Sequence, residues 1–201
     1  MNPATFLALG DSYTIGEGVD ADECWPAQLT RRLGALGIAV AAPHVVARTG
    51  WTTDELARAM DATTFAAPYD LVTLLIGVNN QYRDRPLDNY LAEFTDLLAR
   101  ACVLSRNGAR GVVVVSIPDW GVTRFAHDRD AKAIALAIDT FNRAARDAAD
   151  SAGAAFVDVT GASREAGDGE AMLVGDGLHP SAAQYALWTE EILPFAQRAL
   201  G

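Results

Sequence analysis

Histidine and cysteine are scarce in this 201-residue chain, and basic residues are outnumbered by acidic ones. The 16 Lys and Arg against 26 Asp and Glu give a formal net charge of −10, so the chain lacks the positive surface that attracts nucleic acids and anionic membranes. We therefore expect neither as a partner. The histidines are His44, His127 and His179, and any acid–base chemistry near neutral pH is expected to use one of them, because imidazole titrates in that range.

Long apolar runs and a basic leader are also absent. The longest strongly apolar runs, 71–78 and 112–118, fall far below the roughly 18 residues that a membrane-spanning helix needs. The first basic residue is Arg31, so the basic start of a secretory signal is missing. We therefore expect a cytoplasmic protein without membrane insertion. Cys24 and Cys102 lack the spacing of a metal site or redox pair and are expected to be buried free thiols.

Short apolar runs alternate with longer segments of helical period, which is the pattern of a parallel sheet covered by crossover helices. The predicted strands are 5–9, 39–46, 71–76, 111–117 and 155–159. The predicted helices are 25–36, 53–61, 87–107, 130–152 and 181–200. The third and fourth runs are nearly continuous in apolar residues, which predicts central strands. No linker or repeat divides the chain, so we expect one α/β domain over residues 1–201.

The ends of three helices carry recognisable signals. Thr52 and Glu55 form a Thr-x-x-Glu capping box, which predicts a helix start. Gly108 and Gly153 follow the third and fourth helical segments and are typical of helix ends.

Polar segments follow several of the predicted strands, where ligands bind in an open parallel sheet. These segments are Gly10-Asp11-Ser12-Tyr13, Ala47-Arg48-Thr49-Gly50-Trp51, Gly77-Val78-Asn79-Asn80 and, at the end of the loop after the last strand, Asp176-Gly177-Leu178-His179-Pro180. Serine, glycine, asparagine and histidine are thus predicted to meet at one edge of the sheet.

Ser12 is a candidate nucleophile, because its hydroxyl follows a strand directly and can face solvent. The alternative for a serine at this position is a helix or turn cap. A serine hydroxyl needs a base to accept its proton, and His179 is the candidate, with Asp176 three residues earlier to orient its ring. The alternative for His179 is a surface histidine near a helix start. His44 and His127 lack this arrangement, and we interpret them as structural and as exposed near the pocket rim, respectively.

Acyl transfer also needs hydrogen-bond donors for the oxygen that becomes negative in the transition state. The N–H of Gly50, the side-chain amide of Asn79 and the N–H of Ser12 are the candidates. The alternatives are a glycine required by backbone geometry and an asparagine that closes a loop.

Four segments resemble the sequence blocks of the SGNH/GDSL hydrolases, in the same order and over nearly the whole chain: Gly10-Asp11-Ser12, Gly50, Gly77-Val78-Asn79 and Asp176-Gly177-Leu178-His179. The resemblance implies a flavodoxin-like three-layer α/β/α sandwich with a five-stranded parallel sheet. It also implies a triad of Ser12, Asp176 and His179 and an oxyanion hole of Ser12, Gly50 and Asn79. The sequence departs from the family pattern at Tyr13, usually leucine, at Arg48, often asparagine, and at Asn80, usually aspartate.

Specificity is expected to come from the loops 81–85, 119–128 and 161–175. The candidate substrate-binding residues are aromatic: Tyr13, Trp51, Tyr82, Trp120 and Phe125. Together they predict a partly aromatic pocket for an acyl chain or a sugar ring.

The resulting hypothesis is a serine esterase that acts on small or short-chain acyl esters, such as acetyl esters, through an acyl-enzyme and without metal or organic cofactor. Thioesterase, lysophospholipase or acyltransferase activity at the same site is a second possibility. A third is a non-catalytic module that binds a small ligand at the same edge. A complete set of Ser12, Asp176 and His179 favours an enzyme, because a binding module does not need it.

Overall fold

The computed structural model describes residues 2–201, in which five parallel strands form one sheet flanked by helices. The strands are β1 (Phe6–Asp11), β2 (His44–Arg48), β3 (Leu71–Leu75), β4 (Val112–Val115) and β5 (Ala155–Val157). Their order across the sheet is β2-β1-β3-β4-β5. This confirms the predicted fold class, and the order is one of the two common doubly wound arrangements.

Eight α-helices connect and cover the strands within the described residues. They are α1 (Ser12–Ile15), α2 (Trp25–Ala35), α3 (Thr53–Ala62), α4 (Val78–Tyr82), α5 (Leu87–Leu104), α6 (Ala131–Ala152), α7 (Thr160–Ala166) and α8 (Ala182–Leu200). Helix α2 packs against α8, whereas α5 packs against α3 and α6. Short 3₁₀ turns cover Gly108–Gly111, Trp120–Val122 and Arg124–Ala126. Between residues 2 and 201, no helix is long and apolar enough to cross a bilayer.

The three interior strands of the sheet lie wholly within the hydrophobic core. Every residue of β1, β3 and β4 is buried, which confirms the prediction that the two most apolar runs are central strands. The capping box of Thr52 and Glu55 starts α3, and Gly153 ends α6 with a φ of 78°.

Several element boundaries differ from the prediction. Strand β2 begins at His44 instead of residue 39, because Pro43 has no N–H for a sheet hydrogen bond and only an isolated bridge at Val40 precedes it. Helix α5 ends at Leu104, and Gly108 lies in a 3₁₀ turn instead of at the helix end. Helices α1, α4 and α7 were not predicted, because segments of four to seven residues are too short for a helical period to be recognised.

Strand β1 is paired on both sides, and this fixes the geometry at its end. Gly10 lies opposite Ala47 of β2 and Leu75 of β3. A methyl group at Gly10 would lie 2.1 Å from Oγ1 of Thr14 and 2.5 Å from the carbonyl oxygen of Leu75. Only glycine therefore lets α1 fold back this closely against the sheet.

Gly10→Ala is expected to lower the free energy of unfolding by about 1–3 kcal/mol, the usual cost of overpacking a core. Gly34→Ala is the matched control, because Gly34 lies within α2 and a methyl group there would have no neighbouring atom within 4 Å beyond the helix's own backbone. This substitution is expected to stabilise the helix by about 0.5–1 kcal/mol. Urea unfolding of both variants measures the difference. Equal effects of the two substitutions would contradict the close packing at Gly10.

Candidate active site

Ser12 begins a helix directly at the carboxyl end of β1. The side chain of Asp11 accepts a hydrogen bond from the N–H of Tyr13 at 3.0 Å and so caps α1, and Gly16 ends the helix in the left-handed conformation. The short turn presents Ser12 to a cavity at the edge of the sheet. Among residues 2–201, the hydroxyl of Ser12 has no hydrogen-bond partner, so it is available to a bound molecule.

Asp176 and His179 form a compact four-residue turn. The Nδ1 atom of His179 lies 2.6 Å from Oδ2 of Asp176, while Oδ1 of Asp176 accepts the N–H groups of Leu178 and His179 at 2.8 and 3.0 Å. Gly177 has a φ of 70°, which the turn requires. The carboxylate therefore holds the imidazole with its proton on Nδ1, which leaves Nε2 as a proton acceptor.

Opposing effects act on the carboxyl group of Asp176. Burial raises its pKa, but the hydrogen bonds from the ring and the N–H of His179 and from the N–H of Leu178 together lower it, and the net pKa lies below 3.8. Asp176 is consequently ionised at neutral pH and able to stabilise a protonated His179.

The imidazole of His179 packs against the ring of Tyr13. It is 8% exposed, and its ring centroid lies 5.5 Å from that of Tyr13, which in turn lies 5.9 Å from Trp188. An isolated antiparallel bridge between Leu173 and Pro180 fixes the chain just beyond the histidine. The sequence predicted a loop end, and the structure adds that this loop end is buried.

Gly50 lies in the loop after β2, beside Asn79 at the start of α4. Gly50 adopts a φ of 81°, and Asn79 stands in the first turn of α4. The side-chain Nδ2 of Asn79 donates to the carbonyl oxygen of Trp51 at 2.9 Å. An amide has two such hydrogens, so one fixes the side chain and the other remains for a ligand.

A cavity of about 200 Å³ joins the predicted groups. Its walls include Ser12, Gly50, Asn79 and His179, whereas Asp176 lies behind His179. The remaining lining residues are Tyr13, Thr49, Val78, Tyr82, Trp120, Phe125 and Leu178. Ser12 and His179 both line the cavity, but within residues 2–201 their side chains make no direct hydrogen bond to each other. Catalytic hydrogen bonds are often long or absent before substrate binds.

Three rings form an aromatic wall of this cavity, made by Tyr82, Trp120 and Phe125. Their centroids lie 5.3–6.3 Å apart. The guanidinium of Arg129 lies 5.2–5.6 Å from all three ring centroids and donates to the hydroxyl of Tyr82 at 3.2 Å. The buried indole N–H of Trp120 donates to Gln81 at 2.8 Å. These contacts hold the wall in one arrangement.

Trp51 is the one predicted substrate-binding residue that does not line the cavity. Its side chain is half-buried against the core, and only its carbonyl takes part in the site, as the acceptor for Asn79. Thr49, Val78 and Leu178 line the cavity and were missed, although each directly precedes a predicted site residue. Their position next to a predicted site residue in the sequence was the signal that could have identified them.

The other two histidines lie outside the cavity lining. His44 pairs with the hydroxyl of Tyr69 at 2.7 Å, a structural contact, and the exposed His127 faces Asp168 at 3.3 Å. Cys24 is buried, Cys102 is half-buried, and both are free thiols. Within residues 2–201, no cluster of three or more His, Cys, Asp or Glu could hold a metal ion.

A family model for the GDSL-like lipase/acylhydrolases matches residues 8–187. The chain belongs to this family. It is therefore a hydrolase that acts on ester bonds. No curated protein matches the chain in sequence.

Solved structures of similar fold include TesA, with a TM-score of 0.78 at 20% identity over 98% of this chain and 99% of TesA. The acetylxylan esterase Axe2 from Geobacillus stearothermophilus has a TM-score of 0.73 at 21% identity, over 96% of this chain and 94% of Axe2. The psychrotrophic esterase EstA from Pseudoalteromonas sp. has a TM-score of 0.72 at 17% identity, over 98% of each chain. At these identities the likeness establishes the shared fold.

Asn80, which departs from the usual aspartate of GDSL hydrolases, joins α4 to the start of α3 through a neutral amide. Its Oδ1 accepts the N–H of Thr53 at 3.1 Å, and its Nδ2 donates to the hydroxyl of Thr53 at 2.7 Å. The hydroxyl of Thr53 donates its own proton to Glu93. Its oxygen therefore needs a donor, which an asparagine supplies and an ionised aspartate does not.

The aspartate of the Gly-Asp-Ser segment in this GDSL hydrolase is fully buried. Burial raises the pKa of Asp11 from 3.8 to about 7, against the opposing effect of the hydrogen bond from the N–H of Tyr13. Its Oδ2 atom has no hydrogen-bond partner in the described part of the chain. The carboxyl group is thus an energetic cost to the fold near neutral pH.

Asp11→Asn is expected to stabilise the protein more at pH 8 than at pH 4, since asparagine retains the acceptor for Tyr13 without the charge. Between pH 3.8 and about 7 the unfolded chain loses a proton that the folded chain keeps, so wild-type stability falls as the pH rises through this window. Urea unfolding of both proteins across this range measures the difference in stability. A difference that is independent of pH would contradict the raised pKa of Asp11.

Proposed function

We propose that the chain is a serine esterase for small or short-chain acyl esters, with Ser12 as nucleophile, His179 as general base and Asp176 as the residue that orients His179. The observation that carries the proposal is the cavity that Ser12 and His179 share. Asp176 is hydrogen-bonded at 2.6 Å to Nδ1 of the imidazole, the ring nitrogen opposite the proposed proton acceptor Nε2. Nucleophilic catalysis by a serine uses this combination of groups.

In the acylation step, the hydroxyl oxygen of Ser12 attacks the ester carbonyl carbon while Nε2 of His179 takes the hydroxyl proton. The carbonyl oxygen becomes negative and accepts hydrogen bonds from the N–H groups of Ser12 and Gly50 and from the amide of Asn79. The tetrahedral intermediate then collapses. The bond to the alcohol oxygen breaks, and His179 passes its proton to that oxygen, which leaves an acyl group on Ser12.

In the deacylation step, water takes the place of the alcohol. Nε2 of His179 removes a proton from the water, and the resulting oxygen attacks the acyl carbon. The same three donors hold the second oxyanion. The bond to Ser12 breaks, His179 returns the proton to the serine oxygen, and the carboxylic acid leaves. Throughout both steps, Asp176 stabilises the protonated imidazole.

The size of the cavity supports a short acyl group. Its volume of about 200 Å³ lies below the range of roughly 300–1,000 Å³ that is typical of sites for drug-sized ligands. The aromatic wall closes one side, and Val78 and Leu178 add apolar surface. An acetyl or similarly short chain fits such a space, while the alcohol part of the ester extends toward solvent.

Ser12→Ala and His179→Ala are each expected to lower kcat by several orders of magnitude, because the nucleophile or its base is lost. Asp176→Asn is expected to cost less than Ser12→Ala, since it disturbs the tautomer and charge of His179 but leaves both reacting groups in place. The assay is a panel of chromogenic esters from acetyl to long-chain acyl. Ser151→Ala, on the exposed face of α6, is the matched control and should retain wild-type activity.

A serine-directed phosphonate identifies the nucleophile independently of turnover. EstA, whose fold this chain shares, is described as inhibited by monoethylphosphonate. We expect one label per chain, located on the peptide that contains Ser12 and missing in Ser12→Ala. A wild-type protein that hydrolyses no ester and takes no label at Ser12 would refute the proposal. Product analysis with a competing alcohol distinguishes hydrolysis from acyl transfer.

Phe125→Ala is expected to shift the preference toward longer acyl chains by opening the aromatic wall. Each methylene group that the enlarged pocket buries is worth about 0.8 kcal/mol, or about fourfold in kcat/KM. The measurement is kcat/KM for acetyl, butyryl and hexanoyl esters relative to wild type. Leu136→Ala, an exposed apolar residue of α6 outside the cavity, is the control. An unchanged chain-length profile in Phe125→Ala would exclude the wall as the limit on acyl length.

A further inference from the structure

We propose that Arg83 is a positioning residue that holds the turn carrying the N–H of Gly50 in place beside the oxyanion, an inference that rests on the proposed function. Arg83 is outside the cavity lining, so it acts through Gly50. Its Nη2 atom donates to the carbonyl oxygen of Gly50 at 2.8 Å.

Gly50 stands at the third position of a tight turn from Arg48 to Trp51. The N–H of Trp51 donates to the carbonyl oxygen of Arg48 at 3.2 Å, and Gly50 has a φ of 81°. A φ of about +80° at this position is that of a type II turn. The proposed donor is therefore the N–H of the central peptide of the turn.

The carbonyl oxygen that Arg83 contacts belongs to the peptide that follows this N–H. The bond from Arg83 therefore fixes the place of the turn, whereas the φ of 81° at Gly50 sets the direction of the N–H within it. Glycine permits this φ because it has no side chain to exclude it. The N–H of Gly50 can serve the oxyanion only as long as the turn stays beside Ser12.

Two residues of segment 79–85 contact the turn itself. Asn79 donates to the carbonyl oxygen of Trp51 at 2.9 Å, next to the bond from Arg83 to Gly50. Asn80 and Arg85 instead contact α3, beyond the turn: Asn80 binds Thr53, and Arg85 pairs with Asp54 at 2.6 Å. Arg83 is therefore the residue of this segment that holds Gly50.

Arg83 is itself anchored to the start of α3. Its Nη1 atom lies 3.5 Å from Oε2 of Glu55, and the same oxygen accepts the N–H of Thr52 at 3.0 Å in the capping box. The guanidinium therefore joins the turn to the start of α3. Burial does not hold Arg83, whose side chain is 44% exposed, so its hydrogen bonds carry its effect.

Arg83→Met tests this role against Arg85→Met, which removes an arginine from the same segment that pairs with Asp54 and leaves Gly50 untouched. We expect Arg83→Met to lower kcat on a short-chain ester about tenfold with little change in KM, part of the 10²–10³-fold cost of losing an oxyanion donor. Arg85→Met should keep kcat within about twofold of wild type. Arg83→Lys should recover part of the loss, because an ammonium group can donate to the same carbonyl.

An alkyl boronic acid provides a readout that a purely structural role would not change. It forms a tetrahedral adduct with the serine, and one of its oxygens takes the position of the oxyanion. Its inhibition constant should rise in Arg83→Met by the same factor by which kcat/KM falls, while the urea midpoints of the two methionine variants stay equal.

The outcomes separate this proposal from the esterase proposal. A wild type that lacks Ser12-dependent esterase activity overturns the proposed function, and this inference with it. Ser12-dependent activity with equal kcat in Arg83→Met and Arg85→Met overturns the role of Arg83 alone. A loss of kcat without weaker boronic acid binding also overturns it.

Discussion

The pairing of β1 with a neighbour on each side is the constraint on which the site depends. The parallel register sets the end of β1 level with β2 and β3, with Gly10 between Ala47 and Leu75. Loops that leave the three strands therefore start close together, although they are far apart in sequence. Because Gly10 has no side chain, α1 folds back at once and presents Ser12 at this edge. The groups proposed for acyl transfer meet here as a consequence of sheet topology.

The fold and the positions of the chemically important residues were largely predictable from sequence. Alternating strands and helices leave a periodic signal, and Ser12 and Asn79 stand where β1 and β3 give way to helices. Asp176 and His179 were recognisable because their interaction spans a single turn. Prediction failed where the signal was short or broken, as at the four-residue helix α1 and at Pro43, which delays the start of β2.

Contacts between distant side chains could not be predicted, because they leave no periodic trace. The guanidinium of Arg129 lies against the aromatic wall, and that of Arg83 bonds to Gly50, yet no sequence pattern distinguishes either arginine from one on an ordinary surface. The same applies to Trp51, whose side chain packs against the core outside the cavity lining while its carbonyl oxygen accepts a hydrogen bond from Asn79. The asparagine at position 80, where the family usually has aspartate, is explained by its neighbour Thr53. The hydroxyl of Thr53 already donates to Glu93, so its oxygen accepts the hydrogen bond that the amide of Asn80 donates.

Ser12, Gly50 and Asn79 are proposed to hold together the oxyanion that forms at Ser12. The crystal structure of the protein after reaction with a short-chain phosphonate tests this most directly, because the phosphoryl oxygen mimics the oxyanion. We predict phosphorus bonded to the oxygen of Ser12, with the phosphoryl oxygen about 2.7–3.1 Å from the backbone nitrogens of Ser12 and Gly50 and from Nδ2 of Asn79. A phosphoryl oxygen turned toward solvent, or phosphorus bonded to a different residue, would contradict it.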